Sequence, residues 1–73
     1  MSVLVYSKGN CPACKQTMSF LDTMGVEYEV KKIDEDDSNF HEVIELGYQQ
    51  VPVVVTPKES WSGHQPAKLM QLK

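Results

Sequence analysis

Cys11 and Cys14 are the chain's only thiols, and they stand three positions apart in Ser7-Lys8-Gly9-Asn10-Cys11-Pro12-Ala13-Cys14-Lys15. Thiols at positions i and i+3 lie on neighbouring faces of one helical turn, where a small disulfide can close and open again. An apolar run, Val3-Leu4-Val5-Tyr6, comes just before them. A Cys-x-x-Cys that follows a strand and opens a helix reads as a redox site.

That placement makes the two sulfurs unequal. Cys11 falls at or just before the first helical turn, where unpaired N–H groups and the positive end of the helix dipole stabilise a thiolate. Lys8 and Lys15 add positive charge nearby, which also lowers a thiol pKa. Pro12 suits the first helical position, because its missing N–H has no intrahelical acceptor to lose. Cys14 lies one turn deeper. Cys11 is therefore expected to attack and Cys14 to resolve.

Two other uses of the pair weigh less. A structural disulfide spanning two residues closes too short a loop to restrict the unfolded chain much. A zinc site with His41 and His64 has enough ligand types, but the histidines are far apart in sequence and no second Cys-x-x-Cys exists. No metal is expected.

The 73 residues are expected to make one domain over 1–73, near the lower size limit for a self-sufficient core. No apolar run is long enough to span a bilayer, and no basic stretch followed by a long apolar core marks a signal peptide. A small secreted domain usually carries several disulfides, so one cysteine pair points to the reducing cytoplasm. The net charge is −3, and arginine is absent. Acid gathers in one region, from Glu27 and Glu29 through Asp34, Glu35, Asp36 and Asp37 to Glu42 and Glu45. Without a basic stripe, nucleic acid is not an expected partner. The acidic region reads as a solvated face, with docking of a basic partner as the alternative.

The elements that must hold the thiols follow in order. Ser2–Ser7 reads as a strand covered on both faces, and Lys8-Gly9-Asn10 as a turn. A helix is expected from Pro12 to Met24, with Cys14, Met18 and Leu21 on one side and Gly25 as its stop. Val26 to Ile33 reads as a second strand, with Val26, Tyr28 and Val30 buried by alternation and Ile33 out of phase at its end. Asn39 with Glu42 fits a capping box, with a start one or two residues earlier equally acceptable. Phe40, Val43 and Ile44 then form the second helix's apolar face, and His41 faces solvent. Val51–Thr56 is the strongest strand signal, with Pro52 placed at its head or on an edge. Pro57-Lys58-Glu59 turns into a short strand at Ser60-Trp61, and Pro66 opens a last helix carrying Ala67, Leu69, Met70 and Leu72. The order βαβαββα implies a parallel first pair with a right-handed crossover and a closing hairpin. The fold class is α/β, a four-stranded mixed sheet flanked by three helices, with Cys11 at the carboxyl end of the first strand.

Cys11-Pro12-Ala13-Cys14, Val51-Pro52 heading a later strand, and this element order together resemble the thioredoxin superfamily in its minimal, glutaredoxin-like form. Gln50-Val51-Pro52-Val53-Val54 followed by Trp61-Ser62-Gly63-His64-Gln65-Pro66 is most similar to the NrdH-type redoxins, over essentially the whole chain. Glutaredoxins typically carry a glycine-rich, aspartate-containing glutathione loop at the second place, and NrdH-type redoxins a Trp-Ser-Gly-Phe-Arg-Pro motif. The resemblance implies a monomeric thiol–disulfide oxidoreductase with no bound cofactor, its redox group being the Cys11–Cys14 disulfide. It also implies reduction by thioredoxin reductase and delivery of electrons to a class Ib ribonucleotide reductase or other disulfide-containing proteins. Pro52 would be the cis-proline facing the cysteines, and Val51 would offer backbone groups to an extended substrate. Trp61, Ser62, Gly63, His64 and Gln65 would form the loop that replaces the glutathione segment, while Trp61 also suits a core position over the last helix.

Three departures are visible. His64 stands at the motif's phenylalanine and Gln65 at its arginine, which bears on partner recognition rather than on thiol chemistry. The first strand holds no carboxylate, unlike thioredoxins, so no buried acid is available to take the Cys14 proton. Two rival functions follow: a glutathione-dependent glutaredoxin, against which the missing glycine-aspartate loop and missing arginine argue, and a non-catalytic thioredoxin-fold binding subunit, which would survive loss of its thiols.

Overall fold

The computed structural model describes residues 3–72. Ser2, expected in the first strand, lies outside the described residues. Among them, β1 (Leu4–Ser7), α1 (Pro12–Met24), β2 (Glu29–Lys32), α2 (Asp37–Glu45), β3 (Val53–Val55), β4 (Ser60–Ser62) and α3 (Pro66–Leu69) follow in the expected order, and a 3-10 turn over Met70–Leu72 extends the last helix. The sheet runs β2-β1-β3-β4. β1 is parallel to β2 and antiparallel to β3, which forms a hairpin with β4.

Alternation along the central strands divides the core into two layers. Val3, Val5 and Val54 face one side with Leu21 of α1, Trp61 of β4 and Leu69 of α3. Tyr6 and Val53 face the other, against Val43 of α2. The continuous apolar run in β1 is thus the mark of a strand with helices on both faces. α1 ends where Gly25 takes φ 73, a left-handed conformation that glycine adopts without steric penalty.

Several local expectations need correction, and the strand expected over Val51–Thr56 is confined to Val53–Val55, with Pro52 just before it. β2 starts at Glu29 rather than Val26. Val26 and Tyr28 pack against the first core layer, but Val30 is 38% exposed, because β2 is an edge strand with no neighbour on its outer side. α2 is capped by Asp36, whose carboxylate accepts from Ser38 N–H at 2.9 Å; Asn39 sits inside the first turn and donates its amide to the Lys32 carbonyl at 3.0 Å. Of that helix's expected apolar face only Val43 is buried, while Phe40 and Ile44 are exposed. A short helix touching the sheet along one line buries a narrower stripe than its sequence carries.

α2 is also held by a polar tie. The Tyr6 hydroxyl donates to Glu42 Oε1 at 2.6 Å, and Lys31 Nζ lies 3.0 Å from the same oxygen. Burial, then the bonded Glu42 carboxylate, push the Tyr6 phenol up from 10.0 to about 12. A raised folded pKa contributes stability that is whole below the unfolded value and lost as pH rises through the folded one. Urea unfolding should therefore show stability falling between about pH 10 and 12, and Tyr6→Phe should make that fall shallower. An identical fall in the variant would exclude Tyr6 as its source.

Candidate redox site

The turn after β1 delivers the cysteines to the head of α1. Asn10 takes φ 58, a left-handed conformation that asparagine tolerates better than most residues. Gly9 N–H donates to Asp34 Oδ2 at 2.9 Å, tying this turn to the loop after β2. Cys11 is the N-cap of α1, and its Sγ accepts from Cys14 N–H at 3.2 Å. Pro12 holds the first helical position, and the first turn carries no acidic residue.

Cys11 and Cys14 are joined as a disulfide, with Cα atoms 5.3 Å apart, inside the usual range. Cys14 is fully buried and Cys11 is 7% exposed, so a partner can approach only the first sulfur. One N–H of the helix start, that of Cys14, points at that sulfur, and Lys8 and Lys15 are exposed to either side in sequence. The Ser7 hydroxyl, at the carboxyl end of β1, is buried without a protein hydrogen-bond partner.

Across from Cys11 lies the Val51–Pro52 peptide, which is cis. Cys11 Sγ is 4.0 Å from the Val51 carbonyl oxygen. A groove beside the sulfur is lined by Lys8, Pro12, Ile33, Phe40, Gln50 and Val51. The Trp61–Pro66 segment braces this groove from behind. Gly63 N–H donates to the Pro52 carbonyl at 2.8 Å, and Ser62 Oγ to the Gln50 carbonyl at 3.0 Å. His64 Nδ1 pairs with Thr17 Oγ1 at 2.9 Å, and Gln65 Nε2 donates back to the Ser62 carbonyl at 2.8 Å. Trp61 is 4% exposed and belongs to the core layer under α3. It supports the loop from beneath and presents no face to the groove.

Cys11, Pro12, Lys8 and Val51 thus meet at one groove, while Ser62, Gly63, His64 and Gln65 sit behind it. Lys15 is exposed on α1 and lines a different surface with Phe20 and Met24. Thr17 and Phe40 were not singled out from the sequence as site residues. Thr17 is a polar residue on the buried stripe of α1, and that placement is a usable signal; Phe40 reads as core because its exposure depends on how α2 docks. Among the described residues no group of three or more His, Cys, Asp or Glu side chains could hold a metal ion. His41 is exposed on α2. No helix among the described residues is long and apolar enough to cross a membrane.

A family model described as Glutaredoxin matches residues 3–61. The glutaredoxin-like protein NrdH of Lactococcus lactis subsp. lactis is 34% identical over 70 residues, covering 96% of this chain and 97% of its own. The chain belongs to the glutaredoxin family, in its NrdH-type branch. The whole fold is shared with a solved relative: NrdH-redoxin of Escherichia coli, a glutaredoxin-like protein with a thioredoxin-like activity profile, superposes with a TM-score of 0.96 at 26% identity, over 100% of this chain and 96% of that one. A glutaredoxin from Archaeoglobus fulgidus gives a TM-score of 0.81 at 34% identity, over 96% and 83%. This NrdH-type protein is a thiol–disulfide oxidoreductase whose redox pair is Cys11–Cys14.

Proposed function

We propose that this protein is a dithiol electron carrier, reduced by thioredoxin reductase and supplying a class Ib ribonucleotide reductase or other disulfide-bearing proteins. The Cys11 thiolate attacks one sulfur of a substrate disulfide. A Cys11–substrate disulfide forms, and the departing sulfur leaves as a thiolate that takes a proton. Cys14, having lost its proton to solvent, then attacks Cys11 Sγ. The second substrate thiol is released, and the two electrons lost by the dithiol leave Cys11 and Cys14 joined. Lys8 and the Pro12 helix start stabilise the attacking thiolate, while Lys15, which lies outside the groove, adds positive charge only at longer range. Val51, beside Pro52, offers its backbone to an extended substrate segment, and the part-exposed Ser62–Gln65 loop meets the protein partner, while Trp61 supports that loop from the core and makes no partner contact. The carrier needs no bound cofactor, acts as a monomer and works in the reducing cytoplasm.

The observation that carries this reading is the Ser62–Gln65 loop, bonded through its own groups to Gln50, Pro52 and Thr17 where glutaredoxins typically carry their glutathione loop. The thioredoxin-like profile of the E. coli relative supports it. A glutathione-dependent activity is the second reading, favoured by the 34% identity to the A. fulgidus glutaredoxin.

Two NADPH-driven assays separate them, one with thioredoxin reductase and one with glutathione and glutathione reductase. Turnover with thioredoxin reductase alone is the expected result, and ribonucleotide reductase is then the substrate to test. Turnover with glutathione alone would make this a glutathione-dependent protein and overturn the proposal.

A further inference from the structure

The loop that departs from the NrdH motif at two positions is also bonded both to α1 and to the Gln50–Pro52 segment. His64 stands at the motif's phenylalanine, and its Nδ1 pairs with Thr17 Oγ1 at 2.9 Å. Thr17 is fully buried and lies one helical turn beyond Cys14 on α1. The His64 ring also meets Phe20 edge-on, with centroids 6.2 Å apart. One residue earlier, Gly63 N–H donates to Pro52, and Ser62 Oγ donates to Gln50. Three consecutive residues therefore tie the helix that carries the cysteines to the segment that faces Cys11.

We propose that His64 is a positioning residue: through Thr17 it fixes the Gln50–Pro52 segment relative to Cys11, and so tunes reaction with polypeptide disulfides. The proposal rests on the reading above in which the Val51 backbone receives an extended substrate. A phenylalanine at 64 can pack against α1 but has no directional bond to make, whereas a hydrogen bond to a buried hydroxyl holds one geometry. The hydroxyl can donate or accept, so the pairing stands in either tautomer of the ring. Gly63 at φ 86 turns the chain between the two anchors, which lets its N–H face Pro52 while the next side chain faces Thr17. Gln65, by donating to Ser62, closes the loop locally where the motif has arginine.

A small disulfide needs only the Cys11 sulfur, whereas a polypeptide disulfide also uses the Val51 edge. The test therefore compares two probes, insulin and 5,5′-dithiobis(2-nitrobenzoate), each reacted in stopped flow with dithiothreitol-reduced protein freed of excess reductant. Thr17→Val and His64→Ala should each slow the insulin reaction about five-fold, the scale of one hydrogen bond, and leave the small disulfide within about two-fold. The double variant should be no slower than either single one, and Thr17→Ser should behave as the parent. Amide exchange at Gly63 should quicken in Thr17→Val and His64→Ala but not in Thr17→Ser.

Unchanged Gly63 exchange would overturn the tether. Faster exchange with an unchanged insulin rate would leave the tether standing and overturn the positioning role of His64, whereas the electron-carrier reading falls only by the reductase assays above. Equal slowing of both probes, or additive losses in the double variant, would also overturn the proposal.

Discussion

Cys11→Ser is expected to abolish disulfide reduction, lowering turnover at least about a thousand-fold. The N-cap geometry that favours a thiolate does nothing comparable for a serine hydroxyl, which stays protonated at neutral pH and forms no stable bond to sulfur. Cys14→Ser should behave differently. Cys11 remains able to attack, but no buried thiol follows, so the reaction halts at the mixed disulfide. Incubation with insulin should then give a covalent adduct on a non-reducing gel, dissolved by dithiothreitol, with steady-state turnover lost. The burial asymmetry, 7% exposure at Cys11 against 0% at Cys14, is the physical ground for the assignment. If Cys14→Ser turned over insulin at the parent rate, or if Cys11→Ser formed the adduct instead, the two roles would be misassigned. Activity surviving in both variants would favour a function that does not use the thiols.

The second large effect is on folding. Leu21 is fully buried, in the core layer with Val5, Val54, Trp61 and Leu69. Leu21→Ala should destabilise the protein by about 2–5 kcal/mol, from lost burial and the cavity left behind. A 73-residue domain has a net stability on the order of 4–11 kcal/mol at 0.05–0.15 per residue, so this one change can remove half of it. Trp61, the only tryptophan, lies in the same layer and reports the transition in urea. The cysteines must be held in one redox state throughout, since reduction during unfolding breaks two-state behaviour. Met70→Ala, at a site 65% exposed, is the control and should change stability by no more than about 0.5 kcal/mol. A Leu21→Ala loss as small as the control's would mean that α1 does not seal the sheet as described.

Much of this was legible in the residues. The Cys11–Cys14 spacing, the proline after the first cysteine and the apolar run before it determined a redox pair at a strand–helix junction, because those features act within one helical turn. α1 was readable to its ends, since Pro12 and Gly25 set its limits through backbone geometry alone. The element order and the motifs around Pro52 and Trp61 carried the family resemblance. Each of these signals is local, or a sum of local ones.

What the sequence could not decide depended on how elements dock. Phe40 and Ile44 have the spacing of a buried face, yet of these apolar residues only Val43 is buried against the sheet, leaving Phe40 beside the Cys11 groove. Val30 alternates correctly and is still exposed, because its strand ended up at the sheet edge. The Asp36 cap over the Asn39 alternative was settled by the Lys32 carbonyl, which takes the Asn39 amide. The His64–Thr17 pair joins residues 47 positions apart, so neither residue carries any local sign of the other. A chain specifies periods, caps and thiol spacing residue by residue; which faces are covered, and which distant polar groups meet, is set only when the layers pack and each buried donor finds an acceptor.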